Sequence, residues 1–470
     1  MYSNPRMSKP SKENESPAFD RSLVDGPLRP AIWKIVWPTL LLNIVSGLQG
    51  LVDHIMVGRF VGFEANAAIG VSWQIFLVVV VFIASLYSGM GVLIARYAGA
   101  DQPEKVHQVT SQVFFLSLWI GLAIFAPIGW FLSPGLLTLV NAAPGVQEQA
   151  LPYLRTLFVA GLGMMYFFMI SGALRAAGDA KTPMRLGIVL TVLNLGLNVL
   201  LIPRFGTLGA ALGTVIANGI VSAYAIWQLF TGRLVIRLKW HLGIRPDREV
   251  LGAIFKFGLP TGFQAVVMNI GGVIMIRFVG SLEQSAAAQA AFAVCYTQLF
   301  SFITWGSNAL MAAAITITGQ NLGAQHPERA TRAPLACVGL GLFLVGPLAA
   351  AYFFAPSTLL GFFGIEDPAV LTIGSQLLAY LSVSSVFVMV ALSYTGSLQG
   401  AGDTRSPLYI SIFSQLVLPL TMCAAIDFTR GLLPGDIWLA IVLGHFFRAI
   451  LSVTRFQQGH WKSIEVIREP

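Results

Sequence analysis

Long apolar runs, cut at intervals by Gly, Pro, Asn and charged residues, dominate this chain. Hydropathy and punctuation predict twelve helical spans, at about 31–58, 65–96, 107–132, 149–176, 183–203, 207–231, 250–278, 284–320, 332–355, 370–399, 407–428 and 434–457. Most exceed the roughly 20 residues that cross a bilayer, and the longest are expected to tilt or to extend beyond it. Polar positions inside these runs are the informative exceptions. In the first span Asn43, Ser46, Gly50 and Asp53 are spaced 3, 4 and 3, one stripe of a helix. Small and polar residues on an otherwise apolar helix belong against protein or water, not lipid. Asp53, within QGLVDHIMVG, follows an almost unbroken apolar stretch from Ala31 through Leu51. A carboxylate at that depth costs roughly 2.5–3.5 kcal/mol on insertion scales and is a functional candidate for that reason.

The composition agrees with the pattern. Of 470 residues, 56% are hydrophobic and only 11% charged, against about 25% charged in a soluble domain. The formal net charge of +8 reflects basic loops beside membrane helices and does not call for a nucleic-acid partner. If both termini are placed in the cytoplasm, 24 of the 29 Lys and Arg fall in inside segments and 5 outside, which is the bias expected of an inner or plasma membrane protein. Cys295, Cys337 and Cys423 are far apart, with no Cys/His cluster, so they predict neither a disulfide framework nor a metal site. Residues 1–30 are mostly polar, with Pro5, Pro10 and Pro17, and contain no apolar core of a cleavable signal; they read as a disordered cytoplasmic tail.

The chain also repeats itself. SGALRAAGDAKTPM from Ser171 corresponds to TGSLQGAGDTRSPL from Thr395, and LIARYAGADQPEKV from Leu93 to ITGQNLGAQHPERA from Ile317. Both pairs stand 224 residues apart. Six spans per unit is an even number, so the halves share one orientation and form a parallel repeat. The expected fold is an all-α polytopic membrane protein of twelve helices in two six-helix bundles. Its parts are an N-lobe over 31–231, a cytoplasmic linker over 232–249, a C-lobe over 250–458 and a cytoplasmic tail over 459–470.

Span five carries Thr191, Asn194 and Asn198 on one face, and span six carries Thr214 two turns in. Asp53, Asn194, Asn198 and Thr214 are expected to converge in one pocket of the first lobe. A carboxylate there can take up and release a proton, or hold Na⁺ with amide and hydroxyl oxygens, and so bias one conformation over another. The AAGD and GAGD segments, ending at Asp179 and Asp403, follow no strand and read as helix stops whose Asp caps the next helix. The second half offers Gln264, Asn269 and Tyr296 among Met and aromatic residues, which suits a broad, adaptable apolar cavity. One deep carboxylate and scattered His do not make an enzyme's acid/base or metal set, and no cofactor is called for beyond a coupling ion.

Pro38 with VDHIMVGRFVG, the AGADQPEK after span two, LRAAGDAKTP after span four, Asn194 with Asn198, and the GAALGT of span six together resemble the multidrug and toxic compound extrusion (MATE) family. The resemblance spans about 31–457 and looks closest to the DinF-like branch, since Met268 stands where Na⁺-coupled members carry a glutamate. It implies a V-shaped pair of bundles that exports cationic or amphipathic small molecules in exchange for H⁺ or Na⁺, working as a monomer by alternating access. It also assigns ion coupling to Asp53, Asn194, Asn198 and Thr214, and puts Asp403 in a motif linked to cation binding in other branches. A lipid-linked saccharide flippase of the wider superfamily is the alternative; that reading predicts several arginines facing a central cavity.

Overall fold

In a computed structural model that describes residues 18–466, helices account for nearly all of the chain. The main ones are α1 (Ser22–Asp25), α2 (Leu28–Phe60), α3 (Phe63–Gly99), α4 (Pro103–Leu139), α5 (Pro144–Ala160), α6 (Leu162–Ala176) and α7 (Lys181–Thr231). After the basic connection come α8 (Arg248–Gly280), α9 (Ser285–Gly323), α10 (Pro327–Phe354), α11 (Pro368–Gly400), α12 (Arg405–Arg430) and α13 (Pro434–Gln457). Among the described residues ten helices are long and apolar enough to cross a bilayer, and the pair α5 and α6, bent by 52°, makes an eleventh. The two spans expected over 183–203 and 207–231 run together as α7, broken at Gly206, where φ is 59° and ψ −133°. That backbone region is open to Gly and closed to residues with a Cβ.

Local chemistry sets the helix starts. Proline opens α4, α5, α10, α11 and α13, where a missing N–H costs nothing. Asp247 and Asp367 cap α8 and α11 by accepting from the backbone N–H groups two and three residues on. Asp179 and Asp403 do the same for α7 and α12. Asp179 accepts from the Thr182 N–H at 3.0 Å and Asp403 from the Ser406 N–H at 3.1 Å.

Two large apolar cores fill the molecule, one in each half, but the division between them is not a clean cut. Ile32, Ile35 and Val36 at the start of α2 belong to the core of the second half, while Met56 and Val57 at its end belong to the first. α8 does the reverse, with Ile254 and Phe257 in the first core and Met275 and Val279 in the second. These two helices therefore cross from one half to the other.

The halves are clamped at the end where the described chain begins and finishes, called here the tail end. A Cβ on Gly99 would stand 2.0 Å from the Gln320 carbonyl oxygen, and one on Gly323 2.0 Å from that of Arg96, so α3 and α9 meet backbone to backbone. Arg96 donates to the Ala401 carbonyl at 3.0 Å, and Gln320 to that of Ala176 at 2.9 Å. The first strap lies across this seam. Leu23 is fully buried beside Gly178, its carbonyl accepts from Asn321, and Arg329 donates to the Gly26 carbonyl at 2.7 Å. The disorder expected over residues 1–30 is thus corrected from Ser22 onward, because Leu23 and Val24 bury apolar side chains; residues 1–17 lie outside the described part. The other tail is also docked, with Trp461 1% exposed and stacked 4.7 Å from Phe456.

Candidate functional site

Hydrogen bonds join the polar residues of the first half. Asn198, fully buried on α7, donates from Nδ2 to Asp53 Oδ1 at 2.8 Å and to Asn194 Oδ1 at 3.2 Å. Asn194, also fully buried, donates to Thr214 Oγ1 at 3.4 Å, and Thr214 donates to the Ala210 carbonyl. One chain of hydrogen bonds therefore links α2 to both arms of the broken α7. Gly213 makes room for it, since a Cβ there would stand 2.0 Å from Asn198 Oδ1. That oxygen is buried and has no hydrogen-bond partner. Asp53 is half-buried, and no Lys, Arg or His pairs with it among the described residues. His54 turns away and bonds Asn66 at 2.7 Å.

The first-span stripe does not stay together. Asn43 donates to the Trp305 carbonyl at 3.2 Å and lines a different space, while Gly50 faces no atom within 4 Å. Ten residues at 3.6 per turn carry Asp53 about 80° around the axis from Asn43. One end of the stripe thus looks at α9 and the other at α7.

That different space is a cavity of about 800 Å³ between the halves, walled by α2, α3, α6, α8, α9, α11 and α13. Asp53, Asn194, Asn198 and Thr214 do not line it. Gln264, Asn269 and Tyr296 do. Gln264 is buried, donating to Ser411 Oγ at 2.9 Å and accepting from Gln399 at 3.2 Å. Asn269 bonds only its own helix, at the Ala265 carbonyl. Tyr296 stacks between Phe292 and Phe300, with ring centroids 4.8 and 5.5 Å apart. It sits in a π-helical turn, Ala293–Leu299, which widens α9 where it meets the cavity. Asp403 is elsewhere. It is buried at the tail end, with Oδ2 3.2 Å from Arg455 Nε and both oxygens engaged by Ser406.

The cavity holds two arginines, of which Arg448, deep in the span over 434–457, stands out in the chain and Arg175 does not. Arg175 and Arg448 both line the cavity, and among the described residues no Asp or Glu does. Arg175 stands at the very end of the span expected over 149–176, and it occupies the last turn of α6, whose tail end turns toward the other half. A cation one turn from a helix end reads as a solvated flank, and only the packing of α6 on α9 shows that it faces inward. Among the described residues no three His, Cys, Asp or Glu come together as a metal ion would require, and the three cysteines are buried and unpaired.

From Asn43 and Trp305 away from the tail end, no hydrogen bond or ion pair joins the halves among the described residues. A cleft closed at one end and unlatched toward the other is a geometry for exchanging a solute across a bilayer.

Comparisons with known proteins point the same way. The MatE family model matches twice, over residues 38–200 and 260–424. The probable multidrug resistance protein YpnP of Bacillus subtilis is 28% identical over 435 residues, covering 92% of this chain and 95% of that protein. The probable multidrug resistance protein YoeA of the same organism is 24% identical over 454 residues, covering 94% and 96%. Among solved structures, an outward-facing multidrug resistance MATE transporter of the MOP superfamily superposes with a TM-score of 0.86 at 23% identity, covering 93% of this chain and 97% of that one. A MOP superfamily transporter from Pyrococcus furiosus, described as having a binding pocket of reverse polarity that suggests a different function, gives 0.84 at 23% identity with the same coverage.

Proposed function

With more than half of its length matched by the MatE model, the chain belongs to the MatE family, and on that premise we propose that it is a secondary active efflux antiporter for amphipathic small molecules, with Asp53 as its coupling carboxylate. Members of this family are transporters, not enzymes. The multidrug resistance names of its relatives support the cargo class. The observation that carries the coupling role is the contact of Asp53 with Asn198 at 2.8 Å, free of any cationic partner among the described residues.

The exchange ion is H⁺ or Na⁺. An ionised Asp53 holds the Asn198 N–H strongly, because charge-assisted hydrogen bonds are about twice as strong as neutral ones. Proton uptake weakens that hold, and the unpartnered Asn198 Oδ1 is an acceptor for a carboxyl O–H or an ion once the amide turns. Either event shifts α2 against α7. The other end of α2 is seated on α9 through Asn43 and through Gly47, where a Cβ would meet the Trp305 ring at 2.1 Å. Titration in the first half thereby reaches the seam that opens and closes the cavity, which is alternating access by population shift.

The finer assignments belong to the same proposal. Counting α7 as two spans at Gly206 brings the number to twelve, in two parallel six-helix repeats with lobes over 31–231 and 250–458. Support comes from the double family match and from geometry recurring 224 residues apart. Asp101 and Gln325 share a positive φ, as do Gly178 and Gly402, and Asp179 and Asp403 make the same caps. The basic-residue bias supports cytoplasmic termini, the complete cavity within one chain supports a functional monomer, and Met268 supports the DinF-like branch.

The test is transport by purified protein in proteoliposomes with pH and Na⁺ gradients imposed separately. Asp53→Asn should abolish gradient-driven efflux at wild-type protein levels, and undiminished gradient-driven transport would remove Asp53 from its role. A lipid-linked saccharide flippase is the second reading, favoured by the two arginines in the cavity; it predicts flipping of a lipid diphosphate in the same liposomes.

A further inference from the structure

The cargo site proposed above has a polarity of its own. Among the described residues Arg175 and Arg448 are the only Lys, Arg, Asp or Glu side chains on the wall of the cavity. Arg448, on α13, is 6% exposed, and its Nε has no hydrogen-bond partner. Neither guanidinium enters a hydrogen bond or an ion pair among the described residues. The nearby tail-end carboxylates are engaged elsewhere, Asp179 with Thr182, and Asp403 with Ser406 and Arg455. A cation at membrane depth without a partner is costly and marks a substrate or ion path.

The remaining wall suits a mixed cargo. Phe292, Tyr296 and Phe300 form a stacked ladder from which Tyr296 and Phe300 reach the cavity, and His445, one turn before Arg448, stacks on Phe300 at 5.9 Å. An apolar body can lie along these rings while a guanidinium binds the head. A quaternary or protonated amine would instead meet two positive charges and no carboxylate.

We propose that the central cavity binds amphipaths whose head is an anion, a carboxylate, sulfonate or phosphate, received by Arg448 with Arg175 toward the tail end. This inference rests on the reading of the cavity as the cargo site, and it specifies the chemical class that the site selects. Arginine presents a planar fork of donors matched to such oxygens, which Lys does not.

The test compares two fluorescent probes with one dansyl-labelled undecyl chain, ending either in a carboxylate or in a trimethylammonium. Binding to the full-length protein in nanodiscs is measured at equilibrium, with empty nanodiscs as blank. The carboxylate probe should bind about ten- to a hundredfold more tightly than its cationic twin. Arg448→Gln should erase that preference, Arg448→Lys should keep part of it, and Arg175→Gln should reduce it. Thermal melting verifies folding, and if Arg448→Gln does not fold, the twin probes on the native protein and Arg175→Gln decide the matter. Competition by decyl sulfate assigns the site to free anionic amphipaths, and competition by a dialkyl phosphate assigns it to a lipid headgroup. A cationic twin that binds as well as the anion, a preference that survives Arg448→Gln, or competition by neither anion overturns the proposal. No gradient is imposed, so failure of anion recognition and failure of coupling at Asp53 register separately.

Discussion

Gly213→Ala is a small change aimed at one hydrogen bond. The added Cβ would stand 2.0 Å from Asn198 Oδ1, about 1.4 Å short of ordinary van der Waals contact. Asn198 and Asn194 are fully buried, so the methyl has no empty space to enter and the Asn198 amide must swing aside. Because the amide is rigid, a displacement of that size takes Nδ2 from 2.8 Å to beyond hydrogen-bonding range of Asp53. Hydrogen bonds to charged groups contribute about 1.5–3 kcal/mol, and each 1.4 kcal/mol is about tenfold in an equilibrium constant. Gradient-driven transport should fall about tenfold or more, although Gly213 touches neither the cavity nor Asp53. The assay is efflux of a fluorescent amphipath from proteoliposomes, normalised to reconstituted protein. Gly219→Ala, on the same arm of α7 with nothing within 4 Å of its new methyl, is the matched control and should transport normally. Wild-type rates in Gly213→Ala would refute the coupling of Asp53 through Asn198.

Two further outcomes follow from the tail-end geometry. Gly323→Leu drives a side chain into the Arg96 carbonyl, so α3 and α9 must part; accessibility of a cysteine introduced at Ala95 to a tail-side thiol reagent should rise, and transport should drop by about tenfold or more. Asp403→Asn weakens the Arg455 contact and the cap on α12, lowering the melting temperature by an amount matching about 1–3 kcal/mol, while transport per folded molecule stays within about twofold of wild type. A large loss of transport in stably folded Asp403→Asn would return that carboxylate to the coupling machinery.

Much of this was legible along the chain. Apolar runs, proline starts and Asp caps involve residues a few positions apart, and their physics is complete within a turn or two of helix. The converging face of Thr191, Asn194 and Asn198 is readable for the same reason, since i and i+4 neighbours share a face wherever the helix lies. The 224-residue echo was legible as well, because two copies of one local solution need similar residues.

Which faces meet is a different kind of fact. Asn43 and Asp53 share a stripe on paper, yet about 80° of accumulated rotation sends one to the seam and the other to the Asn198 amide. Arg175 carries no local mark that separates a cavity wall from a solvated flank, and the depth of Arg448 in its span does not say which face of the helix it takes. Their inward aim depends on how α6 and α13 pack against α9 and α11, a sum of many weak contacts between residues that lie on different helices, far apart along the chain. The crossing of α2 and α8 between the two cores has the same origin. The chain by itself determined that there would be membrane helices, where they start, and that one carboxylate would stand within a span that otherwise runs apolar. Only the tertiary structure decided that this carboxylate and the cavity are separate sites, and that the cavity is positive.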